Sequence, residues 1–552
     1  GLKEYTTDQL RNVVLLGHGS SGKTSLVEAM LFVSGAINRQ GRIEDGTTVS
    51  DFDEEEIRRH ISLSLALAWV EWGGCKLNVL DTPGYTDFIG EVISAVRVAD
   101  LALVVVDPVS GVEVGTELVW AYADEQNLPR MVLVNKMNRE NANFARTIQN
   151  LRDVFGRTFV ALQLPIGSQA DFAGVVDLIS MKALMGREGK AADIPADLLP
   201  QAEEARIQLV EAAAEGNDEL IMKYLEGEEL TEEEIRQGLR SAVLNGSAVP
   251  VLAAAATETI GVRALLDVLA AYAPSPADRG PVTAIGPAGE EEIEPNELAP
   301  LAALVFKTAA DPYVGKLTYF RVYGGVAEAD TRVWNSRAGV EERLGTLHMM
   351  RGKDQTAVQR LRTGDIGAVA KLSETVTGDT LCDRGRPVTL PGPAFPHPLF
   401  AVAVSPASKG DQAKMGPTLT RICEEDPTLR WRQEPSTRET ILEGMGEAHV
   451  DIAVRRMVNR FGVSVETSTP KVPYRETITQ THADQYRHKK QTGGAGQFAE
   501  VHMRLEPQPR GSEFEYEWEV FGGAISTSFK PSIEKGVRQV MEQGVIAGYP
   551  VV

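Results

Sequence analysis

The residues Gly17-His18-Gly19-Ser20-Ser21-Gly22-Lys23-Thr24 lie between a short apolar run, Val13-Val14-Leu15-Leu16, and a segment with helical apolar spacing, Ser25 to Leu31. Glycines let the backbone bend so that successive N–H groups point at phosphate oxygens, and a helix N-terminus adds partial positive charge. Lys23 can reach terminal phosphates and Thr24 can offer its hydroxyl to Mg²⁺. A chance glycine-rich turn would not carry the strand, the helix and every fixed position together. A second group, Asp81-Thr82-Pro83-Gly84, closes the strand-like run Lys76 to Leu80. Asp81 can hold Mg²⁺ through water, and the Gly84 N–H can sense a γ-phosphate.

The elements needed to position these groups are present. Residues 12–160 alternate strand-like and helix-like segments, the pattern of a parallel sheet with helices on both faces. Such sheets bind ligands at the carboxyl ends of their strands. Three strands here end in motifs: Asp81 to Gly84, Asp107, and Asn135-Lys136. The first domain is expected over 1–277, with an insertion at 167–249 rich in charged helical sequence, and a Pro/Gly/Glu-rich linker at 278–299. Short β runs separated by glycine turns predict an antiparallel barrel over 300–391. An α+β module follows over 396–470, and a last, unfinished module over 471–552.

At 552 residues the chain is too long for one core, since domains run to about 150 residues. Its composition is globular, with 43% hydrophobic and 24% charged residues. Apolar stretches are strand-length or broken by charges, so no transmembrane helix is expected, and the polar start predicts no signal peptide. Cys75, Cys382 and Cys423 lie too far apart for a disulfide ladder or a metal cluster and read as buried thiols of a cytoplasmic protein. A net charge of −21 argues against nucleic-acid binding through overall charge but leaves room for a local basic face. The first residue is Gly and the last segment has no closing element, as in a fragment of a longer chain.

In chain order, the two motifs above are joined by Asn135-Lys136-Met137, Asp311-Pro312-Tyr313-Val314-Gly315-Lys316-Leu317 and Gly378-Asp379-Thr380-Leu381-Cys382-Asp383. Gly444-Met445-Gly446-Glu447, Gln491-Thr492-Gly493-Gly494 and Gly548-Tyr549-Pro550-Val551-Val552 complete the set. With this set the chain resembles elongation factor G, the ribosomal translocation GTPase, and more narrowly the divergent bacterial elongation-factor-G-like paralogues. The resemblance implies a multidomain α/β protein. Its parts are a P-loop GTPase domain with an inserted subdomain, a β-barrel domain II, an α+β domain III and a partial ribosomal-S5-like α+β domain IV, with domain V absent. It implies GTP or GDP with Mg²⁺ as ligands. It further implies the ribosome, through rRNA and ribosomal proteins, as partner of a monomer with no membrane attachment.

Residue by residue, the resemblance places Gly17, His18, Gly19, Ser20, Ser21, Gly22, Lys23, Thr24 and Asp81 around the phosphates. Thr24 and Ser62 would ligate Mg²⁺, with Asp81 acting through water. Lys23, Gly84 and Tyr85 would face the reacting phosphate. The family carries a histidine after Gly84 that positions the attacking water; here Tyr85 stands instead. A phenol can donate a hydrogen bond but is a poor base and does not become cationic. Loss of such a group costs about 10²–10⁴-fold in the chemical step. Either hydrolysis is slow or differently activated, or Tyr85 only packs on the switch and ribosomal contacts restore the geometry.

The first switch is expected over 46–63, where the family's Arg-Gly-Ile-Thr is Arg59-His60-Ile61-Ser62. His60 is either an exposed loop histidine or a contact to nucleotide, water or RNA. The acidic run Asp51 to Glu56 reads as a solvated face. The base would be read by Asn135, Lys136, Met137 and Asn138, and by a backbone N–H from Ala254-Ala255-Ala256, where the family has Gly-Ser-Ala. The usual residue at 138 is Asp, which accepts from guanine N1–H and the 2-amino group. Asn138 has one acceptor and one donor, so one contact becomes donor facing donor, and xanthine would suit it better.

Arg455, Arg456 and Arg460 lie at helical spacing and read either as RNA-phosphate contacts or as a solvated face. Lys489, Lys490, Gly493, Gly494 and Gln497 place a basic cluster beside a glycine-rich turn, which in the family approaches the decoding site; the family's loop arginine is Ala495 here. Two functions follow from the resemblance: a GTPase that hydrolyses GTP on the ribosome, or a slow nucleotide-dependent switch that docks there.

Overall fold

The computed structural model describes residues 3–311, 315–491, 493–494 and 496–552. Pro312, Tyr313 and Val314 of the barrel motif, and Thr492 and Ala495 of the glycine-rich turn, lie outside the described residues. The chain divides into two compact bodies. One holds residues 1–400, 413–430 and 443–463; the other holds 401–412, 431–442 and 464–552.

In the first body, β1 (Leu10–Leu16), β2 (Ala66–Trp72), β3 (Cys75–Asp81), β4 (Leu101–Val106), β5 (Arg130–Val134), β6 (Phe159–Ala161) and β11 (Val249–Ala253) form one sheet. Its order is β2-β3-β1-β4-β5-β11-β6, parallel except for β2. β1, β3, β4 and β5 are buried along their whole length, which is why they read as near-continuous apolar runs. The helices α1 (Lys23–Val33), α2 (Glu54–Arg59), α3 (Ile89–Val98), α4 (Val114–Glu125), α5 (Phe144–Phe155) and α9 (Val262–Tyr272) lie between strands. The insertion adds a four-stranded antiparallel sheet, β10-β9-β8-β7, from β7 (Gln163–Ile166), β8 (Gly174–Asp177), β9 (Lys182–Met185) and β10 (Lys190–Ala192). It also adds α6 (Leu199–Glu215), α7 (Asp218–Leu225) and α8 (Glu232–Asn245). Its sheet begins at Gln163, ahead of residue 167.

The stretch 278–299, read from composition as a linker, is largely structured. Val282–Gly286 and Gly289–Ile293 pair as a hairpin, with Ala284 and Ile293 buried. Two glycines mark the turn, and Ile285 bridges to Thr389, so the expected linker is packed onto the barrel's last segment. The barrel domain is an eight-stranded antiparallel sheet around Val305, Phe320, Val322, Val333, Leu347, Val369 and Leu381.

Polar residues in otherwise apolar strands mark where this barrel docks. Asn12 on β1 donates to Asp100 Oδ2 at 2.8 Å, and Asn78 on β3 donates to Asn12 Oδ1 at 2.9 Å. Lys76 pairs with Asp365 at 2.8 Å, and Arg321 pairs with Asp100 at 2.9 Å, with all four side chains largely buried. Breaking a buried pair leaves an uncompensated charge, which costs about 3–5 kcal/mol. Asp100→Ala is therefore expected to lower unfolding stability in urea by that amount. The apolar double replacement Asp100→Leu with Arg321→Met should recover most of it.

The second body holds the antiparallel pairing of Ala403–Pro406 with residues 465–468 and the hairpin of His482–Lys490 with Gln497–Leu505. Glu476 organises the last segment: its carboxylate accepts the N–H groups of Val545, Ile546, Ala547 and Tyr549. These bonds hold it down at about 2. Cys75 and Cys382 are buried as expected, but Cys423 is only partly so. No helix among the described residues is long and apolar enough to cross a membrane.

Candidate functional site

The phosphate loop joins the carboxyl end of β1 to α1. Gly22, at φ 95°, has no room for a side chain: a Cβ there would lie 2.4 Å from Asn135 Nδ2. Ser20 also takes a left-handed conformation, at φ 64°. Lys23 folds back over the loop, donating to the carbonyls of Gly17 at 2.8 Å and His18 at 3.0 Å. Burial pulls Lys23 down to about 8, against the opposing charges of Asp81 and Asp51. The His18 ring lies 3.7 Å from Glu113 and against Gly115, at the side of the loop.

Gly84 sits directly on this loop. A Cβ on it would lie 2.6 Å from Lys23 Nζ and 2.7 Å from Gly19 Cα, so only glycine fits. The next side chain, Tyr85, lays its ring over Gly19. A Cβ on Gly19 would meet the ring first at Cζ, 3.2 Å away, so the hydroxyl-bearing end lies over the phosphate loop. The ring is otherwise 44% exposed.

The hydroxyls of Thr24 and Ser62 are 3.0 Å apart, although 38 residues separate them. Around them, both carboxylate oxygens of Asp81, both of Asp51, and Ser50 Oγ are buried with no hydrogen-bond partner among the described residues. Burial pushes Asp81 up to about 6, partly offset by the nearby Thr24 hydroxyl and Lys23. Burial and then the charge of Asp81 push Asp51 up to about 7. Unpaired buried carboxylates are costly. Two carboxylates facing two hydroxyls fit a hard divalent cation such as Mg²⁺, which keeps several of its waters. Among the described residues no three His, Cys, Asp or Glu side chains cluster as a metal cage, so the hydroxyls are essential to that fit.

Asp51 was not legible as a member of this set. The run it opens is not a solvated face, because Asp51, Glu55 and Glu56 are all buried. Glu56 accepts the N–H groups of Leu63 at 2.9 Å, Ser64 at 3.1 Å and Asp53 at 3.1 Å, and so folds the switch around itself. His60 is exposed on the first switch. It ends α2 at φ 55°, with its ring against the Ile43 carbonyl at 3.1 Å.

At the base-reading end, Asn135 ties two loops together. Its Nδ2 donates to the Ser21 carbonyl at 3.1 Å, and its Oδ1 accepts from Ala256 N at 3.1 Å. Lys136 takes φ 60° and reaches across to the Ser20 carbonyl at 2.5 Å. Met137 is buried, and its N–H donates to the Ala254 carbonyl at 3.1 Å. The N–H groups expected to meet the base oxygen are engaged: Ala254 with Val134, Ala255 with Ile260, Ala256 with Asn135. The turn closes tightly on itself, and Thr257 is the first residue along it whose N–H has no partner among the described residues. Asn138 Nδ2 donates to Glu258 Oε1 at 2.7 Å, a partner that the sequence did not signal.

The arginines at 455–460 have an intramolecular role that neither sequence reading foresaw. Arg460 pairs with Asp53 at 2.6 Å and with Glu425 at 3.2 Å, Arg456 reaches Asp53 at 3.5 Å, and Arg59 pairs with Asp451. The first switch is thereby tied to the helix Glu447–Phe461. The loop after Gly84 meets the same helix: Phe88 packs with Leu63 and Ile452, and edge-on against His449. His449 bonds Asp426 at 2.8 Å. Burial opposes the Asp426 charge, but His449 and Thr428 hold it at about 2. In the second body, Lys489, Lys490, Gly493, Gly494 and Gln497 are exposed around one hairpin end, with Lys490 paired to Gln497 across the strands.

A glycine-rich loop between a parallel strand and a helix, hydroxyls and carboxylates converging beside it, and a second loop stitched to it by Asn135 have the arrangement of a P-loop GTPase domain, here with further domains appended. Four family models match successive parts of the chain: "Elongation factor Tu GTP binding domain" over 8–275 and "Elongation factor G domain 2" over 300–384. "Elongation Factor G, domain III" matches over 395–469 and "Elongation factor G, domain IV" over 470–552. The chain is also similar to a Thermus thermophilus protein of known crystal structure. The two are 35% identical with a TM-score of 0.87, over 99% of this chain and 80% of that one. The chain belongs to the elongation factor G family of translational GTPases.

Proposed function

We propose that this chain binds GTP with Mg²⁺ and hydrolyses it on the ribosome, with Tyr85 making the chemical step slow. The observation that carries the reading is the convergence of Thr24, Ser62, Asp51 and Asp81 beside Lys23. On nucleotide binding, Lys23 exchanges the carbonyls of Gly17 and His18 for phosphate oxygens. Thr24 and Ser62 are the hydroxyls that would hold Mg²⁺, with Asp51 and Asp81 acting on its waters. The cation would supply charge neutralisation between phosphates. Gly84, pressed on the loop, presents its N–H to the terminal phosphate. Tyr85 can donate one hydrogen bond to the attacking water or to the phosphate but cannot become cationic.

The state of the site would be felt at the helix Glu447–Phe461 through Asp53, Arg456 and Arg460, and through Phe88 and Ile452. Lys489, Lys490, Gly493, Gly494 and Gln497 form the surface that meets rRNA. A second reading, a nucleotide-dependent ribosome-binding switch that turns over very slowly, is favoured by the Tyr85 ring lying over Gly19.

Phosphate release from GTP by the unaltered protein, with and without ribosomes, separates the two. Stimulation by ribosomes of about 10²-fold or more, the scale of one catalytic group brought into position, supports the GTPase reading. GTP-dependent ribosome binding in a pelleting assay without stimulated release establishes the switch instead. Absence of GTP-dependent binding and of stimulation overturns both.

A further inference from the structure

The residue at 138 presents a puzzle that the geometry resolves. A carboxamide alone offers guanine one acceptor and one mismatched donor. In the structure the donor is already occupied: Asn138 Nδ2 lies 2.7 Å from Glu258 Oε1. A carboxylate can only accept, so the amide must present its NH₂ to Glu258, and this turns Oδ1 the other way. The second oxygen of Glu258 makes no hydrogen bond among the described residues.

The pair is held in place from both sides. Met137 N donates to the Ala254 carbonyl at 3.1 Å and Asn135 Oδ1 accepts from Ala256 N at 3.1 Å, so the loops carrying Asn138 and Glu258 are stitched together. Glu258 N bonds the Ala255 carbonyl at 3.1 Å, and Thr259 at φ 59° closes the turn behind it. The two side chains form a composite acceptor at the base-reading end of the site.

We propose that Glu258 is a specificity residue that supplies the missing carboxylate, accepting from the 2-amino group of guanine while Asn138 Oδ1 accepts from N1–H. The proposal rests on the reading of this cleft as a GTP site and refines it. It reverses the preference that Asn138 alone would give. The amide NH₂ is no longer available to the 2-carbonyl of xanthine, which would face a carboxylate and be repelled.

Equilibrium binding of GDP, inosine diphosphate and xanthosine diphosphate to the full chain with Mg²⁺, without ribosomes, tests this. Inosine keeps N1–H and the 6-oxygen of guanine and lacks only the 2-amino group. The unaltered protein should prefer GDP to inosine diphosphate by about 10- to 100-fold, the range of one hydrogen bond to a charged group. It should bind xanthosine diphosphate more weakly than GDP. Glu258→Ala should lower GDP affinity by about that factor, lower inosine diphosphate affinity by clearly less, since only the orientation of Asn138 is lost there, and raise xanthosine diphosphate relative to GDP. Glu258→Gln keeps the size of the side chain and guards against a folding defect; its single acceptor oxygen cannot serve both the Asn138 amide and the 2-amino group, so it too should weaken GDP more than inosine diphosphate.

An equal loss for GDP and inosine diphosphate, or no change for either, overturns the assignment, because a merely structural glutamate would not distinguish them. Binding of all three nucleotides with a discrimination that Glu258 does not control overturns this assignment alone. No binding of any of the three by the unaltered chain overturns both it and the GTP-site reading.

Discussion

Tyr85→His is expected to raise ribosome-stimulated phosphate release by about 10²–10⁴-fold, the contribution of one well-placed catalytic group. Nucleotide affinity should change little, because the substitution leaves Lys23, Thr24 and the backbone of the phosphate loop in place. The backbone at 85, at φ −97° and ψ 139°, is ordinary extended chain, so histidine needs no rearrangement to occupy it. The shorter imidazole would leave the space that the phenol ring fills above Gly19 and could become cationic near neutral pH. Single-turnover phosphate release on the ribosome is the measurement, since it isolates chemistry from nucleotide exchange. An unchanged rate would mean that Tyr85 is not the brake and that the water is positioned by backbone and ribosomal groups.

The parts of this molecule that follow from local chemistry could be read from the chain. The phosphate loop announces itself because strand, glycines, Lys23 and Thr24 are contiguous, and β1, β3, β4 and β5 because full burial leaves uninterrupted apolar runs. What could not be read depends on partners far away in sequence. Arg456 and Arg460 could be placed on one helix face, but that the face meets Asp53, about 400 residues earlier, is a tertiary fact. Asp51 sits in an acidic run whose pattern matches a solvated surface; only the folding of the switch over Glu56 takes it inside. The hairpin at 282–293 was hidden because its charged outward positions dominate the composition, while Ala284 and Ile293 alone mark the buried side. Glu258 carries no motif at all, and its position matters only because the next loop ends in Asn138.

Asp51→Asn is expected to act with opposite sign with and without the cation. Without metal, Asp51 and Asp81 are neighbouring buried carboxylates, Asp51 pushed up by burial and by the charge of Asp81, and Asp81 by burial and by the charge of Glu56. Removing one charge while keeping its shape relieves that repulsion. In EDTA, melting of the variant should therefore occur a few degrees higher, about 2–4 °C for each kcal/mol in a domain of this size. With Mg²⁺ and a non-hydrolysable GTP analogue, the wild-type protein gains stability in proportion to how tightly the folded state binds them. The variant should lose about 10- to 100-fold in Mg²⁺ affinity, as for other groups that orient a metal's immediate ligands, and most of that gain with it. Thermal melts in the two buffers, with Mg²⁺ titrations at fixed nucleotide, give both quantities. A drop in melting temperature of equal size in EDTA and in Mg²⁺ would make Asp51 a structural group of the switch. A rise in EDTA with a loss in Mg²⁺ would show that the cost of burying this carboxylate is offset only when the cation is bound, which ties the closure of the first switch to the presence of nucleotide and metal together.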